Sequence, residues 1–219
     1  MMSKALPLLL ALAAAVFTLP AAHAQDAAAG AKKAAMCIGC HGIPGYQSSF
    51  PEIHKVPMIS GQGADYLNAA LAAYKKGERR HPTMRAIAAS LSDADMADLA
   101  AYYQQHGASM IKPVADTPAA QPSAEVAALL AKGACASCHG ANYSKPVAPA
   151  YPKLAGQHAD YLASALRAYG TEGNPKIGRA NAIMSAQVKQ FKPAELRAMA
   201  AYLGSLPGEL RTVPQPKFK

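Results

Sequence analysis

Cys37-Ile38-Gly39-Cys40-His41 returns ninety-eight positions later as Cys135-Ala136-Ser137-Cys138-His139. All four cysteines of the 219-residue chain lie in these two stretches. On a helix, positions i, i+3 and i+4 share one face, so each stretch presents two thiols and an imidazole on the same side of one turn. That arrangement suits covalent attachment of a c-type haem. Cys37 and Cys40, or Cys135 and Cys138, reach the two vinyl groups, and His41 or His139 reaches the iron. Other readings of Cys-x-x-Cys fit less well. A redox dithiol needs a βαβ setting that the sequence lacks, and it leaves the two histidines unexplained. Zinc pairs sit about fifteen to twenty residues apart, far closer than these. A disulfide between cysteines three apart closes too small a loop to stabilise the chain.

Lys4, the apolar run from Leu6 to Leu19 and the small-x-small stretch Ala22-His23-Ala24 read as a signal peptide over residues 1–24. The mature chain is expected to begin near Gln25 and to be soluble and exported, because no later stretch approaches the roughly twenty apolar residues of a membrane span. The formal charge of +9 points to an acidic partner or an anionic membrane surface. No basic patch interleaved with aromatics argues for nucleic acid. Abundant alanine with few β-branched residues favours an all-α fold.

The repeat extends well beyond the cysteines. Gly61-Gln62-Gly63-Ala64-Asp65-Tyr66-Leu67 returns as Gly156-Gln157-His158-Ala159-Asp160-Tyr161-Leu162. Each copy opens an apolar ladder at helical spacing, Leu67, Leu71 and Tyr74 and then Leu162, Leu166 and Tyr169. Each half closes on a helix carrying Leu99-Ala100-Ala101-Tyr102 or Met199-Ala200-Ala201-Tyr202, one started by Ser92 with Asp95 and the other by Pro193. The Pro- and Ala-rich stretch near Lys112 to Ser123 has no hydrophobic period and reads as a linker. The reading is therefore two tandem domains, 25–110 and 124–219, joined by residues 111–123. An N-terminal helix in each is expected to run unbroken into its haem stretch, over about 27–40 and 124–138. The irregular stretches that follow, 42–60 and 140–155, are better explained as chain wrapped around a cofactor than as a protein-only core.

The ligand on the other face of each iron separates a carrier from an enzyme. Met84 lies eighteen residues before Tyr102, and Met184 lies eighteen before Tyr202. No other methionine keeps register. Met96 and Met199 align with leucines and read as core, and Met58 reads as a loop residue. His54, His81 and His158 lack histidine counterparts and read as solvated or hydrogen-bonded surface residues. His/Met ligation at both irons closes both coordination positions and suits reversible one-electron transfer, with no catalytic residue.

On these marks both halves resemble class I cytochrome c domains, and the tandem resembles the dihaem cytochrome c4 family. The likeness covers the mature chain, through Gly42 and Gly140 after the histidines, Pro57-x-Ile59-x-Gly61-Gln62, and Pro152-x-Leu154-Ala155-Gly156-Gln157. It implies two helical domains related by an approximate two-fold axis, each wrapped around one covalently attached haem, with the propionate edges facing one another. It also implies that the carbonyls of Pro57 and Pro152 accept from the imidazoles of His41 and His139. Export to the periplasm is implied as well, since haem is attached outside the bacterial cytoplasm. The first haem loop, Ile43 to Val56, departs from the pattern by its length, and Ser60 stands where the second repeat has Ala155.

By the same resemblance the chain is expected to carry electrons from a cytochrome bc complex toward a haem-copper terminal oxidase. Two alternatives stay open: a cytochrome subunit serving a periplasmic dehydrogenase, and a dihaem peroxidase, which matched methionines count against. Charge adds one further expectation. Lys75, Lys76, Arg79, Arg80 and Arg85 outnumber Glu78 in the first domain, whereas the matching stretch holds only Lys176 and Arg179 against Glu172. A basic docking rim on the first domain is therefore expected.

Overall fold

The computed structural model describes residues 25–215, so the signal peptide read at residues 1–24 lies outside the described residues. The first domain contains α1 (Ala27–Lys33), α2 (Ala35–His41), α3 (Ala64–Lys76), α4 (Pro82–Ala89) and α5 (Asp93–Gln105). The second contains α6 (Ala124–Lys132), α7 (Ala136–His139), α8 (Ala159–Tyr169), α9 (Ala182–Val188) and α10 (Pro193–Ser205). Residues 111–123 between them carry no helix or strand. Strands are two residues long. β1 (Gln47–Ser48) pairs antiparallel with β2 (His54–Lys55), and β3 (Arg79–Arg80) pairs antiparallel with β4 (Gly178–Arg179) across the two domains. The chain is thus all-α in substance, with two tandem domains.

Each domain buries the helix faces that the periodicity marks. In the first, Leu67 of α3 packs with Met96, Leu99, Ala100 and Tyr103 of α5. In the second, Leu162 of α8 packs with Leu196, Met199, Ala200 and Leu203 of α10. Met96 and Met199 are both buried core residues. A reciprocal cap starts α5: Ser92 Oγ accepts from the Asp95 N–H at 3.1 Å, and Asp95 Oδ2 accepts from the Ser92 N–H at 3.0 Å. Pro193 takes the first position of α10, where its missing N–H costs nothing.

Both N-terminal helices are broken, contrary to the reading of one helix over 27–40 and another over 124–138. Ala34 closes α1 with a long bond of 3.4 Å from its N–H to Ala31 O, three residues back, and then starts α2. Its side chain is wholly buried, so it serves as a pivot between a helix packed on α5 and a turn aimed at the haem stretch. In the second domain Gly133 ends α6, Ala134 takes a left-handed φ of 46°, and the Cys135 N–H reaches back to Leu130 O at 3.1 Å. Alanine is the strongest helix former and is disfavoured at a left-handed φ, so tertiary packing, not local propensity, decides both breaks.

Candidate haem sites

Cys37, Cys40 and His41 lie on the single short helix α2, while Cys135 precedes α7 and Cys138 and His139 close it. No disulfide joins the four thiols. His41 Nδ1 donates to the Pro57 carbonyl at 2.8 Å, and His139 Nδ1 donates to the Pro152 carbonyl at 3.0 Å. A carbonyl can only accept, so Nδ1 must carry the proton and Nε2 keeps its lone pair for a metal. Burial lowers the pKa of both imidazoles, with the proline carbonyls opposing it, so both are neutral bases at neutral pH.

Met84 and Met184 occupy the third position of α4 and α9. The Met84 N–H donates to His81 Nδ1 at 3.4 Å, and the Met184 N–H donates to Asn181 Oδ1 at 2.9 Å. Each methionine therefore hangs from a helix start fixed by a polar cap at the same relative position. His81 accepts here, so it must be unprotonated at Nδ1. Burial, then His54, Arg179 and Arg79, push its pKa down to about 4.

His54 is not a surface residue as read. It is 7% exposed, its Nδ1 donates to Lys55 O at 2.9 Å, and its ring meets Tyr161 of the second domain at 5.7 Å between centroids. The cause is the long first haem loop, which folds into the β1–β2 hairpin and lies on α8. Glu52 accepts from Ser164 Oγ at 2.6 Å and pairs with Arg167, and Asp160 accepts from the Lys55 N–H at 3.0 Å.

The basic rim forms only in part, because two of its five cations turn inward. Arg79 is buried where β3 meets β4, opposite Arg179, and stacks over Tyr74 at 4.6 Å. Arg80 Nη1 donates to Asn174 O across the domains at 2.8 Å, and Lys75 Nζ donates to Leu91 O at 2.6 Å. The fold thus turns Arg79 and Arg80 inward, while Lys75, Lys76 and Arg85 stay exposed beside Glu78, so the surface keeps part of the charge asymmetry of the sequence.

What the arginines do form is a cluster shared by both domains. Arg79 and Arg179 donate to Tyr161 Oη at 3.4 and 3.0 Å, and Arg79 also donates to Tyr66 Oη at 3.4 Å. Burial raises both phenols, taking Tyr66 to about 12, but at Tyr161 the guanidiniums outweigh burial and hold it at about 8. Among the described residues no carboxylate pairs with either arginine, and Arg79 Nε is buried without a partner. Two guanidiniums side by side, Arg79 buried and Arg179 partly so, are costly unless anions join them. The donor set calls for carboxylates, and haem propionates fit it.

The chain matches the family model for cytochrome c twice, over residues 27–107 and 123–207. It is 34% identical to the cytochrome c4 of Pseudomonas aeruginosa over 190 residues, covering 84% of this chain and 91% of that one. The chain belongs to the dihaem cytochrome c4 family. As in that family, it is an electron-transfer protein with two covalently bound c-type haems, one for each Cys-x-x-Cys-His stretch. The fold is similar to that of the reduced recombinant cytochrome c4 from Pseudomonas stutzeri, with a TM-score of 0.59 and 29% identity, covering 84% of this chain and all of that one. A thiosulfate dehydrogenase electron acceptor of Thiomonas intermedia is 36% identical over 193 residues, covering 82% of each chain.

Haem iron supplies the site with a centre that gains and releases one electron. The protein's part is to hold His41 and His139 in one tautomer, to fix the helix starts that carry Met84 and Met184, and to close water out of the shared cluster. Two features escaped the sequence reading. Arg179 is counted there only as a charge, although its register with Arg79, each twenty-three residues before the closing Tyr202 or Tyr102, marks the two as a pair. Gln62 and Gln157 were visible as repeat marks, but nothing local said that they reach across the domains.

Proposed function

We propose that each iron is held between a histidine and a methionine, His41 with Met84 and His139 with Met184, with thioether bonds from Cys37 and Cys40 and from Cys135 and Cys138. The observation that carries this reading is the repeated pair of capped helix starts, at which each methionine occupies the same third position. Pro57 and Pro152 orient the imidazoles from the next layer out. Replacing Met84 by Ala should remove half of the far-red methionine-to-ferric-iron absorption and lower one of two potentials. An intact band would transfer the role to another residue.

The proposed setting is the periplasm, with export directed by residues 1–24. There the protein takes electrons from a cytochrome bc complex and passes them to a terminal oxidase, docking through its basic surface on acidic partners or near an anionic membrane. Redox proteins are its partners, and dehydrogenases form the second reading, supported by relatives named as thiosulfate dehydrogenase electron acceptors. The two can be separated by mixing the reduced protein with host membranes under oxygen. Cyanide-sensitive reoxidation supports the oxidase reading. Reduction by a periplasmic extract only when thiosulfate is added, without reoxidation by membranes, supports the second.

A further inference from the structure

Gln62 and Gln157 are each 4% exposed and occupy matched positions after a left-handed glycine. Neither serves only its own domain. Gln157 Oε1 accepts from the Met58 N–H at 3.0 Å, and its Nε2 donates to Met58 O at 2.8 Å. Gln62 does the same to Lys153, accepting from its N–H at 2.9 Å and donating to its carbonyl at 3.1 Å. Met58 follows Pro57, and Lys153 follows Pro152. The N–H held by each glutamine therefore belongs to the same peptide unit as the carbonyl that accepts from a proximal imidazole.

This makes two crossed chains of hydrogen bonds. One runs from Gln157 of the second domain through the Pro57–Met58 peptide to His41 of the first. The other runs from Gln62 of the first domain through the Pro152–Lys153 peptide to His139 of the second. A peptide is planar and conjugated, so accepting a bond from its N–H places more negative charge on its oxygen. A stronger acceptor draws the Nδ1 proton and makes the imidazole a more basic ligand, which favours ferric iron.

We propose that Gln157 and Gln62 are positioning residues that each lower the reduction potential of the haem in the opposite domain, so that contact between the domains sets both potentials. The inference rests on His41 and His139 as the axial imidazoles. That premise is tested separately: in the ferric wild-type protein both rings should show strongly displaced paramagnetic resonances, and their absence would remove the ligand reading itself.

The experiment uses the full holoprotein with Gln157→Met or Gln62→Met, which keep side-chain length and lose the polar ends. The two potentials are measured and assigned haem by haem, together with solvent exchange of each Nδ1 proton in the ferrous state. Gln157→Met should raise the potential of the haem at Cys37 and Cys40 and speed exchange at His41, leaving the other haem in place. Gln62→Met should do the converse. A shift confined to the variant's own domain, an equal shift at both haems, or none would overturn the proposal. Parting of the domains is distinguishable, since water admitted to both haem edges favours ferric iron and lowers both potentials. That result too would count against a crossed role.

Discussion

The two domains share one order of helices but fasten the first helix of each by opposite means. In the first, α1 lies directly on the backbone of α5. A Cβ at Gly30 would fall 2.1 Å from Asp98 O, and the contact is tied by charge, with Lys33 Nζ 2.7 Å from Asp95 and 2.8 Å from Asp98. In the second, α6 has no glycine at the crossing and packs Leu129 and Leu130 into the core beside Phe191, with Lys132 above the Phe191 ring. The Cys-x-x-Cys-His stretches, the capped methionines and the glutamines of the shared interface repeat in both domains, as do the core faces of α3 and α8. Helix fastening thus has more than one physical solution, whereas the bond from each haem-stretch histidine to a proline carbonyl is made the same way twice.

The most severe way to break this comparison is to remove one cofactor. Cys37→Ala with Cys40→Ala should leave a protein one haem lighter by mass, with the first domain largely unfolded by circular dichroism and the second still ordered. The cofactor stands in for the core of its domain, so losing it removes most of that domain's stability.

Gly30→Ala comes next. With backbone in the way, it should cost the first domain on the order of 3 kcal/mol. Ala128→Gly, ninety-eight positions later and exposed on α6, changes helix propensity alone and should cost the second only about 1 kcal/mol. Calorimetry resolving two transitions would show the first moving further. Equal shifts would mean that the two crossings are not different in kind.

Acid sharpens the same contrast. The Asp98 carboxyl is held below the usual carboxylate range, first by the bond from Lys33 and then by the Asp26 N–H, so its folded pKa lies below its unfolded one. Its stabilisation is therefore complete above the unfolded value and is lost as pH falls toward the folded value. Hydrogen exchange along α1 should accelerate below about pH 4, before α6 responds. Asp98→Asn should shrink that difference, leaving the part that Asp95 carries through Lys33. The smallest effect belongs to the hairpin: Glu52→Gln should cost about 0.5 kcal/mol, because Arg167 is half exposed and such pairs are screened.

Much of this was legible in the residues themselves. Cysteine and histidine spacing gave the attachment turns, internal register put Met84 and Met184 at matched positions of α4 and α9, and the 3.6-residue ladder gave the faces of α3 and α8. The illegible part lies between elements distant in sequence. Nothing near Ala34 announces a helix break, because the reason is what α1 and α2 each pack against. Arg79 reads as one surface cation among five until β3 pairs with β4 and turns it inward. His54 looks solvated until the hairpin around it lands on α8. A count along a chain records charges but not the direction in which the fold points them.

One chain carries two one-electron haem centres, for which the same pair of ligands is proposed. The most direct test combines the intact mass of the denatured protein with a coulometric titration of the native one. The account predicts a mass increased by two haems that acidified solvent does not extract, two electrons taken up per chain, and a far-red methionine band from each haem. A single haem, haem that leaves with the solvent, or one electron per chain would contradict it.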